Sequence, residues 1–198
     1  MATFLFVLKN QKGFTLIEAL VVLSVLSVLG LLAAPALQDF FIRQKFKNIS
    51  EEFIASIFKA KNTAVSKNIC TTMCMSSNAD AASPSCATSG NDWQPGWIVF
   101  LNTECNSSLN KPENLEDILY LHVGKENDYF LKSQKSTPTR KLQFNAKGMS
   151  TLNNADEFDL MFKEPGHAYT EKFGINICLD ALGRTRTVPS EATCKNYK

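Results

Sequence analysis

The pattern of apolar and polar positions changes twice along the chain. From Phe14 to Leu37 it reads FTLIEALVVLSVLSVLGLLAAPAL, 24 residues in which Glu18 is the only charge. A helix of that length extends about 36 Å, against about 30 Å of bilayer hydrocarbon, so it can span. Pro35 lacks an N–H and opposes the carbonyl of Leu31, which predicts a kink, and Gly30 loosens the same turn. After Pro35 the pattern becomes periodic. Ile42, Phe46, Ile49, Phe53, Ile57, Ala60 and Ala64 recur at intervals of three and four, marking one face of an amphipathic helix. Arg43, Lys45, Lys47, Glu51, Glu52, Lys59 and Lys61 occupy much of the remaining surface, and the helix is expected to end near Lys67.

Beyond it the apolar runs are short and separated by turn-forming residues. Strands are predicted near Ile69 to Met75, Gly96 to Leu101, Ile118 to Val123, Tyr129 to Lys132, Lys141 to Asn145, Phe158 to Phe162, Gly174 to Leu179 and Arg184 to Val188. Phe158, Leu160 and Phe162 alternate with their neighbours, as do Ile175, Ile177 and Leu179, which suits half-buried strands. Trp97 to Leu101 does not alternate and suits a strand covered on both faces. Ser76 to Asn91, rich in Ser, Ala and Asn, reads as a surface loop. The expected fold class is α+β: a long N-terminal transmembrane and amphipathic helix packed on an antiparallel, sandwich-like β domain.

Charge and cysteines refine this picture. Of 21 basic side chains, Lys9 and Lys12 lie in the first 13 residues, and the remainder balance the 19 acidic ones. Attraction to a polyanion must then come from local patches. By the positive-inside bias, Lys9 and Lys12 keep the N-terminus cytoplasmic and send the rest across the membrane. All six cysteines follow the apolar run, which points to an oxidising compartment and to disulfides. Cys74 or Cys70 is placed to tie the 76–91 loop through Cys86. There is no Cys-x-x-Cys pair, no Gly-x-Ser-x-Gly elbow, no phosphate-binding glycine loop and no His-Glu-x-x-His. No catalytic residue, cofactor or metal site is therefore expected. His122 and His167 take folded-core or surface roles, and Trp93 and Trp97 pack in the core.

Glu18 is the anomaly. An ordinary secretory signal gains nothing from a carboxylate, its apolar run is shorter, and a charge at membrane depth costs about 2.5 kcal/mol or more unless compensated. Lys12-Gly13-Phe14-Thr15-Leu16-Ile17-Glu18 resembles the cleavage and methylation motif of type IV prepilins and type II secretion pseudopilins. The resemblance implies a leader, 1–13, cut after Gly13 by a prepilin peptidase that also methylates the amine of Phe14. It further implies a retained membrane helix, 14–37, an amphipathic continuation, 38–67, and a periplasmic β-rich domain, 68–198. Glu18 would pair with the N-terminal amine of a neighbouring subunit, an assembly contact.

Trp93-Gln94-Pro95-Gly96-Trp97-Ile98-Val99-Phe100, Glu116-Asp117-Ile118-Leu119, Phe144-Asn145-Ala146-Lys147-Gly148 and Gly183-Arg184-Thr185-Arg186 resemble the GspH/FimT group of minor pilins and pseudopilins. Asn102 stands where that group usually has an aspartate, and the extra cysteines exceed its pattern. The implied protein is a single-pass inner-membrane subunit of a type IV pilus or type II secretion pseudopilus, with other pilins or pseudopilins as partners. In the FimT branch the Gly-Arg-x-Arg motif contacts DNA during uptake; the alternative is a GspH-type pseudopilin that supports protein export without DNA. On the first reading Gly183, Arg184 and Arg186, with Lys195, contact double-stranded DNA, because residues two apart in an extended segment share a face. If Cys178 joins Cys194, a covalent loop encloses the motif and lowers its ordering cost. Tyr129 to Ala155 contains no acidic residue but carries Lys132, Lys135, Arg140, Lys141 and Lys147, a possible second basic patch or a solvated hairpin.

Overall fold

The computed structural model describes residues 13–124, 129–152, 156–163 and 172–194. The leader expected at 1–13, except Gly13, lies outside them, as do His167 and Lys195. Among the described residues a long helix, α1 (Leu16–Lys67), is followed by strands β1 (Cys70–Met75), β2 (Gly96–Asn102), β3 (Ile118–Val123), β4 (Tyr129–Ser133), β5 (Lys141–Phe144), β6 (Asp156–Phe162), β7 (Ile175–Leu179) and β8 (Thr185–Pro189). All eight predicted strands are present, Ile118–Val123 with both ends as expected and no end displaced by more than two residues. The chain divides into two compact units, Met1–Ile42 and Arg43–Lys198.

In the first unit α1 starts with a capping box. The Thr15 N–H and hydroxyl both donate to Glu18 Oε2, at 2.9 and 2.8 Å, and the Glu18 N–H donates to Thr15 Oγ1 at 3.3 Å. These bonds satisfy donors that every helix N-terminus leaves without an intrahelical partner. Large apolar residues such as Leu23, Leu26, Leu29, Phe40 and Phe41 are exposed within the subunit. Among the described residues no single straight helix is long and apolar enough to cross a membrane. Leu16–Leu31 and Ala33–Lys67 meet that test only together, across a bend at residue 32. The bend falls next to Leu31, whose carbonyl the Pro35 ring excludes.

In the second unit the helix from Arg43 onward buries Phe46, Ser50, Phe53, Ile57, Ala60 and Ala64. Ser50 replaces the expected Ile49 in this stripe, because spacings of four and three from Phe46 reach 50 and 53. Its hydroxyl donates to Lys47 O at 2.9 Å and so is not buried unpaired. The strands form two antiparallel sheets of four, ordered β3-β2-β1-β5 and β4-β6-β7-β8. Phe53 touches both: its ring centroid lies 5.4 Å from Trp97, 5.2 Å from Phe158 and 5.3 Å from Trp93, all edge-to-face. Such contacts contribute about 1 kcal/mol each beyond area burial. The indole N–H of Trp97 donates to Ser56 Oγ at 2.9 Å and that of Trp93 to Thr139 O at 2.9 Å. Both tryptophans belong to the core.

Burial of β2 on both faces has a specific cause. Trp97 meets the helix, while Ile98 and Phe100 form a second small core with Cys74, Ala79, Cys86 and Leu109. The 76–91 segment is thus more than a surface loop, since it covers the outer face of this sheet. Cys74–Cys86 and Cys70–Cys105 pin the covering segments. Lys141 adds a third clamp, its ammonium donating to Ser107 O, Leu109 O and Asn110 Oδ1 at 3.0, 2.8 and 2.6 Å.

Candidate functional site

The hairpin joining β7 to β8 carries the Gly-Arg-x-Arg motif. Leu179 faces Thr185 in register, so residues 180–184 turn the chain. The Gly183 N–H donates to Asp180 O and the Asp180 N–H to Arg184 O, both at 3.0 Å. Gly183 has φ +69°, and a Cβ there would stand 2.8 Å from Phe144 Cε1 and 3.2 Å from Lys61 Cδ. Gly148, at φ +75°, makes the matching approach, with Lys61 Cε 3.2 Å from the position of its missing Cβ. Two glycines therefore let two turns close on the Lys61 stem, whose ammonium donates to Leu182 O at 2.7 Å. Ser150 donates through its N–H and its hydroxyl to Ala181 O, both at 3.0 Å, and ties the exit of β5 to this turn.

Arg184 differs from the expectation of an extended pair. It is the last residue of the turn, and strand β8 begins at Thr185. Asp180 holds it twice, Oδ1 accepting the Arg184 N–H at 2.7 Å and Oδ2 accepting Nε at 2.5 Å. The carboxylate is buried, whereas the arginine side chain is 59% exposed. Alternation within a strand thus does not set the direction of Arg184; the carboxylate does. Arg186 is exposed within β8, opposite Cys178. Cys178–Cys194 closes a covalent loop around both arginines. The returning segment is also hydrogen-bonded, Asn176 Nδ2 donating to Ala192 O at 2.9 Å and the Cys194 N–H to Glu157 Oε2 at 3.2 Å.

The second basic group is divided by the fold. Lys135, Arg140 and Lys141 line one open groove of about 490 Å³ with Thr137, Pro138, Thr139, Thr151 and Leu152. Lys132 stands apart on β4, its ammonium 4.2 Å from the Phe130 ring centroid. Lys141 is committed to the loop carbonyls, and burial lowers its pKa from the ordinary lysine value. Lys147 is exposed in the turn that carries Gly148. At the other end of the chain Phe14 is 84% exposed, and a Cβ on Gly13 would meet nothing within 4 Å.

Three contributors escaped the sequence reading. Asp180 was visible only as the first residue of an Asp-x-x-Gly turn, and Lys61 only as a polar position on a helix. Glu52 lies under β3, where Tyr120 Oη donates to its Oε1 and His122 Nδ1 lies 2.7 Å from the same atom. Burial, then the hydrogen bond and charge of Glu52, push the Tyr120 hydroxyl up to about 12. The His122 ring stacks on Trp97 at 3.7 Å, giving this histidine a packing role.

Residues 8–34 match the prokaryotic N-terminal methylation motif, and residues 50–183 match the family described as type II transport protein GspH. A fimbrial protein of Moraxella nonliquefaciens is 35% identical over 72 residues, 36% of this chain and 44% of that protein. The type IV major alpha-pilin of Moraxella bovis is 33% identical over 64 residues, 29% of this chain and 40% of that protein. The chain thus spans less than half the length of these relatives. Its fold is similar to that of the type IV minor pilin FimU of Pseudomonas aeruginosa, with TM-score 0.54 and 18% identity over 77% of this chain and 95% of that one. With a prepilin methylation motif at one end and most of its length matched by one profile, this chain belongs to the GspH family of minor pilins and pseudopilins.

Proposed function

We propose that the chain is a minor subunit of a type IV pilus, held in the inner membrane by its N-terminal helix and drawn from there into the filament. Cleavage follows Gly13, Phe14 is methylated, and the domain after the helix stands in the periplasm. The observation that carries this reading is an apolar helical segment, residues 16–37, whose described large side chains find no cover within the subunit and whose one carboxylate sits in the first turn. An intramembrane carboxylate needs a cation, and a subunit joining a filament brings one in its amine. Glu18 uses Oε2 for its own capping box, and Oε1 is the oxygen offered to the neighbour. In cells, Glu18→Ala is expected to leave processing intact, with residues 1–13 lost and one methyl gained by intact mass. It should remove the subunit from sheared filaments. Normal incorporation of this variant would sink the reading.

Duplex DNA is the proposed ligand of the filament-borne domain, supported by two exposed arginines on a disulfide-closed hairpin. Asp180 offsets one positive charge, so the contact is weak and needs several copies or several sites. Charge reversal at Arg184 and Arg186 is expected to abolish retardation of duplex DNA by the detergent-purified chain, with unchanged binding counting against it. A pseudopilin of a type II secretion system is the competing assembly. A deletion strain that loses protein export but keeps transformation would select it.

A further inference from the structure

The groove lined by Lys135, Arg140 and Lys141 lies near the turn of the arginine hairpin. Thr151 and Leu152 form one wall of the groove, and the adjacent Ser150 makes two hydrogen bonds to Ala181 in the hairpin turn. From Thr151 through that contact to Arg184 the path crosses about five residues, a reach of less than about 20 Å. That is the rise of about six base pairs of duplex at about 3.4 Å each.

The groove is built rather than accidental. The Ser133 hydroxyl accepts the N–H groups of Lys135 and Thr139, at 3.4 and 3.2 Å, and donates to the Asp156 carboxylate. This buried hub fixes the 134–140 loop. Arg140 is anchored by one edge, Nε donating to Gly90 O at 2.5 Å, so a phosphate would be met by its terminal amino groups. Lys141 cannot serve as a contact, because its three protons hold the 107–110 loop, but it adds positive field at the floor. Thr137, Thr139 and Thr151 supply hydroxyls of the kind that bond phosphate oxygens. The Asp156 carboxylate is turned inward on Ser133 and the Glu157 N–H, and that of Asp92, two residues from Gly90, accepts the Gln94 and Leu131 N–H groups. Residues 129–152 add no other carboxylate.

We propose that Lys135 and Arg140 form a second phosphate-backbone subsite, so that one DNA segment crosses both sheets from the groove to the Arg184 hairpin. The proposal rests on the DNA reading and extends its footprint from one hairpin to a track. Each phosphate contact contributes about 0.9 to the slope of log affinity against log salt.

The test uses the detergent-purified full chain, a fluorescently labelled duplex of about 30 base pairs, long enough to cover the track, and anisotropy titrations between 50 and 200 mM salt. Lys135→Gln and Arg140→Gln, made singly, are each expected to lower the slope by about 0.9, and the pair by about 1.8. Arg184→Ala with Arg186→Ala should lower it by a similar amount independently. Thermal midpoints of the groove variants identify any that unfold, and Lys135→Gln, which leaves the Arg140 anchor intact, then carries the decision. Slopes unchanged in Lys135→Gln and Arg140→Gln, alongside binding lost in the arginine hairpin variant, overturn the groove and leave the hairpin reading standing. An unsubstituted chain that does not bind the duplex overturns both.

Discussion

Gly96→Ala is expected to destabilise the β-rich domain by about 3–5 kcal/mol, lowering the thermal midpoint of the detergent-purified chain by about 10 °C. Two costs combine. Gly96 sits at φ +152°, a backbone conformation that side-chain-bearing residues rarely adopt. A Cβ there would also stand 2.6 Å from His122 O and 3.0 Å from Ser76 O. Both obstacles are backbone atoms, so relief requires moving β3 away from β2 or lifting the segment after β1. Either shift loosens the Trp97 to His122 stack and its neighbour Phe53. The glycine of the Trp-x-x-Gly-Trp motif is thus a packing requirement between backbones. A scanning calorimetry trace within 2 °C of the unsubstituted chain, a shift of at most about 1 kcal/mol, would falsify the argument.

Asp159→Asn is expected to have the second largest effect, one that grows as pH rises from about 4 to 7. Asp159 is buried on β6, opposite Lys132 and Asn176, with Glu157 two residues away on the same strand. Burial, reinforced by the Glu157 charge, pushes its carboxyl up to about 7. In the unfolded chain it titrates near 3.9. A raised carboxyl favours the folded state while protonated, so its contribution is fully present below about pH 4 and is lost as pH rises through 7. Three units correspond to at most about 4 kcal/mol. The asparagine variant should exceed the parent in stability by less at pH 5 than at pH 8. Denaturant midpoints measured at both values decide the matter, and equal differences at the two would refute the assignment.

Local pattern and tertiary packing contributed differently to what could be read. The stripe from Phe46 to Ala64 was legible because a helix repeats every 3.6 residues whatever lies beside it. Only the packing showed that Ser50, with its hydroxyl satisfied by its own helix, belongs to that stripe in place of Ile49. The lack of alternation in β2 correctly implied two covered faces. The cover itself, the segment around Ala79 and Cys86, looked like a surface loop because its few buried residues are small. In the motif Gly183-Arg184-Thr185-Arg186 the residue types were plain, while the direction of Arg184 depended on a turn that aims it at Asp180.

The linear order of residues by itself determined the elements, the apolar helix with its single carboxylate and the glycines that mark close turns, since each follows from steric preference or periodicity within a few positions. Tertiary structure alone decided that eight strands divide into two sheets with β5 beside β1, which cysteines join, and which cations are committed. Lys141 is spent on the 107–110 loop, while Arg184 and Arg140 are each held through Nε, by a carboxylate and a carbonyl, and keep their terminal amino groups outward. Such outcomes depend on residues tens of positions apart meeting in space. Hydrogen bonds and burial act at a few ångströms, and no short-range pattern specifies those meetings.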